Sequence, residues 1–572
     1  MADSATQHSF ANPVKRIFNV IKLEKNEISS IYFYAILSGI IQLAMPLGIQ
    51  SIISFVMGGA ISTSLIIMIF LVVLSVFING LLQVNQMRLI EKVQQKLFVR
   101  YAFEFTNKLP KINLQAVDSY YLPELVNRFF DTVTLQKGIS KLLLDIPAAT
   151  IQIIFGLILL SFYHPIFIFF GFFLLLIIFS ILKITSAKGM ESSLKESDYK
   201  YGVAAWLQEL ARVVISFKFS KNKTLHIHKT DELVTGYLSH RTTHFKILLF
   251  QYWSLVGFKI AITAAMLIVG SVLLINQQLN IGQFIAAEIV ILMVIGSIEK
   301  IISNLDTVYD VLTSVEKLAK ITDKPTEVDG TIELDNNSNE GLSINLQNVN
   351  FKYNDQYDNA VLHNINLKIT AGKKVCIIGA TGAGKSTLLS LISGVYKQYE
   401  GNIFYNNLPA YNYTTNSIRA KTGILLSKQG IFKGTLLENI NMGCNEVTPQ
   451  HIMQLADKVG LKMFMEGLSV GFDTMLDPLG KRLSANVIQK ILLLRALVNQ
   501  PRLILLEQPF DNLSVQVSQA LKDYLFDTKS THTVIISTND KSIAALCDEV
   551  IYMKEGTIAA FGPWNDVQQK IN

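Results

Sequence analysis

Six apolar segments in the first half of the chain constrain its fold more than any other feature. They run Ser30–Phe55, Ser64–Val84, Leu144–Tyr163, Pro165–Thr185, Leu249–Ile275 and Ile281–Ile302. Each is long enough to cross a hydrocarbon layer of about 30 Å as a helix. The connections alternate in kind. Val56–Thr63, the Tyr163-His164-Pro165 corner and Asn276–Asn280 are short and carry no lysine or arginine. Residues 85–143 and 186–248 are long and basic, with Arg88, Lys92, Lys96, Arg100, Lys108, Lys111 and Arg128 in the first, and Lys188, Lys195, Lys200, Arg212, Lys218 and Lys221 in the second. Basic residues mark the cytoplasmic side, so both termini are expected there. The long connections carry helical patterns and read as membrane helices continued into the cytosol. Leu122–Asp131 and Ala205–Arg212 within them read either as docking elements or as ordinary helix turns.

Charge and cysteine content narrow the function. The net charge of +7 over 572 residues invites a nucleic-acid reading. Much of that excess lies beside apolar segments, where it orients a membrane protein instead, and six apolar spans exclude a soluble nucleic-acid ATPase. Cys376, Cys444 and Cys547 have no metal-ligand spacing and suit a reducing compartment. The first apolar run is too long for a cleaved signal peptide. Residues 1–12 are polar, and Pro13–Ile28 reads as an amphipathic helix on the inner membrane surface or as a solvated helix. Lys259 and Glu288 interrupt apolar segments, where ionisable groups are costly. By helical rise, Lys259 sits about 25 Å and Glu288 about 9 Å below the outer helix ends, too far apart to pair. Lys259 is placed to snorkel, and Glu288, with Gln42, Asn79 and Gln83, to face a cavity or pack.

The expected architecture is an N-terminal all-α six-helix transmembrane domain followed by a C-terminal α/β P-loop NTPase domain. The boundaries are a tail and interfacial helix over 1–29, the membrane domain over 30–320, a polar linker over 321–340 with Pro325, Gly330, Asn336 and Asn337, and the nucleotide-binding domain over 341–572.

The nucleotide prediction rests on Gly379-Ala380-Thr381-Gly382-Ala383-Gly384-Lys385-Ser386-Thr387, which fits G-x-x-x-x-G-K-[ST]. The apolar run Lys374–Ile378 before it reads as a strand and Leu388–Ile392 after it as a helix, the context the motif requires. Glycines let successive N–H groups turn toward a phosphate, and the helix adds its positive end. Lys385 is expected on the β- and γ-phosphates of ATP, and Ser386 on Mg²⁺.

Around this motif the soluble half resembles the nucleotide-binding domain of ABC transporters, and the whole chain resembles an exporter-type half-transporter. Met45-Pro46-Leu47-Gly48-Ile49-Gln50 and Ile281-Gly282-Gln283-Phe284 are similar to the type I secretion branch typified by the haemolysin exporter, without the peptidase domain some members carry. The resemblance implies adenine stacking on Tyr353, a lid loop at Ser427 or Gln429, a signature at Leu483-Ser484-Ala485-Asn486-Val487, and a metal-binding acid at Glu507. In this family two chains meet head to tail, so Ser484 would reach the nucleotide of the partner.

The chemistry positions depart from the family. Gln508 stands where the resemblance implies a glutamate that polarises water, and Asn539 where it implies the switch histidine. An amide orients water but does not take its proton, and general-base help is worth roughly 10²–10⁴-fold. Ser514 replaces an aspartate. Ala485 and Asn486 replace two signature glycines, and Ala485 would resist a positive φ there. The expectation is an ATP-binding exporter subunit of a bacterial inner membrane, with its own hydrolysis impaired, carrying a peptide, protein or amphiphile. It would work as a dimer, preferably with a complete half-transporter, and with a membrane-fusion protein as a further candidate partner. The alternative is a non-pumping, ATP-sensing scaffold or regulator of an export complex.

Overall fold

The structure, a computed structural model, describes residues 11–59, 63–335, 338, 340–353 and 360–571, with backbone alone for seven of them. Most of the tail expected over 1–12, and Asn336 and Asn337 of the linker, lie outside the described residues. The chain divides into two compact units: Met1–Pro110 with Leu122–Lys324, and Lys111–Tyr121 with Pro325–Asn572.

The first unit is helical. Ala11–Leu23 precedes the first span, which is built from Lys25–Gln42 and Ala44–Met57. The break between them has a local cause. Pro46 has no N–H to give the Gln42 carbonyl, and its ring crowds that oxygen. Then follow Thr63–Lys108, Asp131–Tyr163, Ile166–Arg212, Leu225–Ile275, Ile281–Ser303 and Leu305–Thr322. Helices of 46, 47 and 51 residues reach roughly 70 Å, well beyond a 30 Å hydrocarbon layer. Among the described residues five stretches are long and apolar enough to cross a membrane: Lys25–Met57, Thr63–Lys111, Leu122–Tyr163, Leu225–Ile275 and Ile281–Thr322. The expected span Pro165–Thr185 falls, from Ile166 onward, in the helix Ile166–Arg212, some of whose side chains are not described.

Several polar groups inside this unit pair with one another, as a medium poor in water favours. The Gln251 amide donates to Thr185 Oγ1 at 2.6 Å and to the Tyr309 hydroxyl at 3.1 Å, and Ser297 donates to Gln152 Oε1 at 2.7 Å. Asn79 accepts from Ser38. Lys259 does more than snorkel: it pairs with Glu299 at 3.2 Å. Asn280 and Gln283 cap the helix Ile281–Ser303 reciprocally, each side chain meeting the other residue's backbone N–H.

The second unit is built on a six-stranded sheet. Its strands, in spatial order, are Thr557–Gly562, Glu549–Lys554, Lys374–Gly379, Thr533–Ser537, Leu503–Glu507 and Thr422–Leu425. All pairs are parallel except the first. Lys374–Ile378, Leu503–Leu506 and Thr533–Ser537 are buried throughout, the mark of parallel strands covered on both faces. An antiparallel sheet of Leu362–Ile369, Ile344–Phe351, Glu400–Tyr405 and Leu408–Pro409 lies beside it.

Lys111–Tyr121 is held in this second unit although it interrupts the first in sequence. Asn113 N–H donates to the Pro325 carbonyl at 3.0 Å, and Glu327 N–H to the Lys111 carbonyl at 2.8 Å. The Gln115 amide donates to the carbonyls of Gln398 at 2.7 Å and Lys352 at 3.3 Å, and its oxygen accepts from Gln398 N–H at 3.1 Å. The stretches singled out by sequence, Leu122–Asp131 and Ala205–Arg212, both lie in the first unit.

Candidate functional site

The parallel register decides where the site forms. Ser537 stands level with Ile377 on one side and Glu507 on the other, so the chain leaves all three strands at the same sheet edge. Residues after Gly379, Glu507 and Ser537 therefore converge, the place where ligands bind in open parallel sheets. A cavity of about 330 Å³ opens there, lined by Thr381, Gly382 and Gly384 to Thr387 of the phosphate loop together with Val361, Glu507, Gln508, Ser537, Thr538 and Asn539.

Two glycines of the loop are sterically obligatory. Gly379 has φ +153°, and a Cβ on it would lie 2.3 Å from the Met553 carbonyl oxygen; Gly384 has φ +97°, and its Cβ would meet Leu362 Cδ2 at 2.7 Å. Ala383 is buried beneath the loop. Lys385 bends over it, with Nζ donating to the carbonyls of Gly379 at 2.6 Å and Ala380 at 3.0 Å. Burial pulls the Lys385 ammonium below its ordinary value, and nearby Glu507 partly opposes this. A partly desolvated cation held by carbonyl dipoles suits an incoming phosphate, which restores its counter-charge.

Ser386 Oγ donates to one Glu507 oxygen, and Ser427 N–H donates to the other at 2.9 Å. A hydroxyl beside a carboxylate is a hard-oxygen set of the kind Mg²⁺ takes, so the two residues expected to hold the metal fit it. Ser427 thus reaches the site through its backbone. The Gln429 side chain instead turns back to accept from Leu426 N–H at 3.1 Å.

Gln508 has φ +48°, uncommon for a residue with a Cβ. Its N–H donates to the Ser537 carbonyl at 2.8 Å, and the Gln489 amide donates to the carbonyls of Gln508 and Pro509, both at 3.2 Å. The backbone is thus pinned at the strand end, with the exposed side chain beside Asn539 in the cavity lining. Neither amide is a base near neutral pH.

Tyr353 does not line the cavity. Its ring packs edge-on against Phe351 at 5.1 Å and Tyr396 at 5.3 Å, the Lys428 ammonium lies 5.6 Å from it, and its hydroxyl bonds Thr387 Oγ1 at 2.6 Å. Ser484 also lies outside, capping the helix Ala485–Leu497 by accepting from Val487 N–H at 3.4 Å. The backbone argument against Ala485 fails: Ala485 and Asn486 open that helix without positive φ. What they add at the signature is bulk near the helix start. Sequence reasoning passed over Val361, Thr538 and Gln489. Only the pairing of distant strands and the packing around their ends brings them to the site.

Two family models match the chain. An ABC transporter transmembrane region covers residues 29–298, and an ABC transporter domain covers 362–511. The chain belongs to the ABC transporter family. The second match includes the phosphate loop, Ser484, Glu507 and Gln508, while Tyr353 and Asn539 fall outside it. Among curated relatives of this ABC transporter, a protein of Rickettsia felis named for export, ATP binding and permease function is 27% identical over 390 residues, or 68% of this chain and 66% of its own. A multidrug efflux ATP-binding/permease protein of Mycobacterium tuberculosis is 30% identical over 257 residues, 45% of this chain and 21% of its own. The chain thus spans just under two thirds of the first relative and about a fifth of the second. A bacterial Atm1-family ABC exporter solved with ATP bound has the same fold, with a TM-score of 0.84 over 99% of this chain and 97% of that one at 18% identity.

Proposed function

We propose that the chain is an exporter-type ABC subunit that binds ATP with Mg²⁺ and hydrolyses it slowly on its own account. The observation that carries this is the cavity itself, where a complete phosphate loop faces Gln508 and Asn539. Gly379, Thr381, Gly382, Ala383, Gly384, Lys385, Ser386 and Thr387 would cradle the phosphates, with Tyr353 beside the adenine and Ser386 and Glu507 on Mg²⁺. The metal would neutralise phosphate charge. Gln508 would orient water without deprotonating it. Basic connections on one side support a bacterial inner-membrane protein with both termini in the cytoplasm. Export agrees with the names of the relatives, the cargo on this reading is a peptide, protein or amphiphile, and the type I secretion branch rests on Met45–Gln50 and Ile281–Phe284 alone.

A head-to-tail dimer of identical chains would carry Gln508 in both sites. A partner with a full catalytic set would leave one site able to turn over, which favours a heterodimer, with a membrane-fusion protein as a further partner. The paired amides also support a second reading, a non-pumping ATP-sensing regulator of an export complex, since ATP binding alone shifts a conformational equilibrium. Steady-state ATPase and ATP binding of the purified chain in lipid, beside Gln508→Glu, test the proposal. Tight binding with negligible turnover, raised roughly 10²–10⁴-fold by Gln508→Glu, is expected. Robust turnover in the unaltered chain would overturn it. Turnover restored only by adding a complete half-transporter would favour the heterodimer over the regulator.

A further inference from the structure

Within the first unit, Ile166–Arg212 packs along Leu225–Ile275, and a cavity of about 680 Å³ opens between them where both helices pass from apolar to charged sequence. On the first helix the apolar run ends at Thr185, and Lys188 follows within one turn; on the second, Lys246 comes just before the apolar run that starts at Leu249. The cavity spans this boundary. Ile184, Ile247 and Phe250 line its apolar side, with Ile184 and Phe250 exposed at 65% and 54%.

Lys188, Lys195, Lys246 and His240 line the other side. Glu191, the one acid in the lining, is engaged by Lys195 at 2.8 Å on its own helix. His240 is stacked on Tyr199, with ring centroids 5.2 Å apart. Lys188 and Lys246, both exposed, make no ion pair with any described residue. The cavity therefore holds two cations without an internal counter-charge directly above an apolar wall.

We propose that this cavity binds one anionic phospholipid, with its phosphate between Lys188 and Lys246 and its acyl chains along Ile184 and Phe250. Basic pockets between membrane helices at the headgroup level recruit such lipids. A free phosphate would use the lysines equally well but make no use of the apolar wall beside them, which favours the lipid. The inference rests on the chain crossing a membrane and not on its ATP chemistry.

The test is native mass spectrometry of the full chain in detergent, titrated with phosphatidylglycerol or with phosphatidylcholine, with ATP binding measured in parallel. One phosphatidylglycerol per chain, retained roughly tenfold or more over phosphatidylcholine, is the expected result. Lys188→Gln with Lys246→Gln should abolish that preference and leave ATP binding unchanged. Lys183→Gln, an exposed lysine outside the cavity, should keep it. Phe250→Ser should weaken lipid retention with the lysines intact. Equal retention of both lipids, equal loss in the Lys183→Gln control, or displacement by millimolar inorganic phosphate would each overturn the proposal. Should the double variant misfold, the lipid preference of the unaltered chain and the Lys183→Gln and Phe250→Ser results still decide. Loss of ATP binding with the lipid preference intact would count against the proposed function and not against this site.

Discussion

The two walls of the nucleotide cavity rise from the ends of three adjacent strands of one sheet, yet they differ in chemical completeness. On the phosphate-loop wall, Gly379, Gly384, Lys385 and Ser386 all stand in the arrangement a triphosphate calls for. On the opposite wall Glu507 keeps a carboxylate, and Gln508 and Asn539 offer amides. Holding a phosphate depends on backbone conformation and one cation. Breaking its bond draws in addition on side chains that position and polarise the attacking water. The two capacities can therefore part company without any change in fold.

The comparison breaks most completely on the phosphate side. Gly379→Ala puts a Cβ into the Met553 carbonyl at a φ of +153°. The strain is on the order of 1–3 kcal/mol, before any clash is relieved. Nucleotide binding should fall by at least about 100-fold, read by fluorescent-nucleotide titration. Binding within a few-fold of the unaltered chain would mean that the loop is not the phosphate site.

On the other wall, Asn539→His added to Gln508→Glu should raise turnover further, by about tenfold or less, with the affinity for ATP almost unchanged. A large change in affinity from either substitution would show that the walls are not separable.

The smallest effect is a control at the far end of the same sheet. His532 precedes the strand Thr533–Ser537, and its Nδ1 is buried without a partner. Burial, with help from nearby Lys374, holds this histidine below its ordinary value, against a bond to the Pro501 backbone. The folded domain then binds the proton more weakly than the unfolded chain. Its stability should decline as pH falls below about 6.5 and level off below the folded value. His532→Gln should flatten that slope in thermal melts between pH 5 and 7 and leave nucleotide binding alone. An unchanged slope would assign the pH dependence to other groups.

Much of the site was legible because its signals are local. Strand, glycine loop, lysine and helix follow one another within a short stretch, and Glu507 and Gln508 end an apolar run visible in the sequence. Other features were not local. Gln115 joins the second unit through carbonyls at Lys352 and Gln398, more than two hundred residues away, and nothing in the residues around Gln115 announces that. The Lys259–Glu299 pair joins two helices whose relative rotation no single helix encodes. Ser427 serves Glu507 through its backbone N–H, a contact that side-chain identity cannot reveal.

The sequence by itself determined the membrane helices, the phosphate loop and the amide of Gln508 at the end of an apolar strand, because each depends on residue types at short spacing. Only the tertiary structure decided that Gln508, Asn539 and Ser386 share one cavity, that Lys111–Tyr121 belongs with the second unit, and that Lys188 and Lys246 flank one pocket. Each of these is a meeting of segments far apart in the chain, and such meetings are set by strand register and helix packing, which local sequence does not specify.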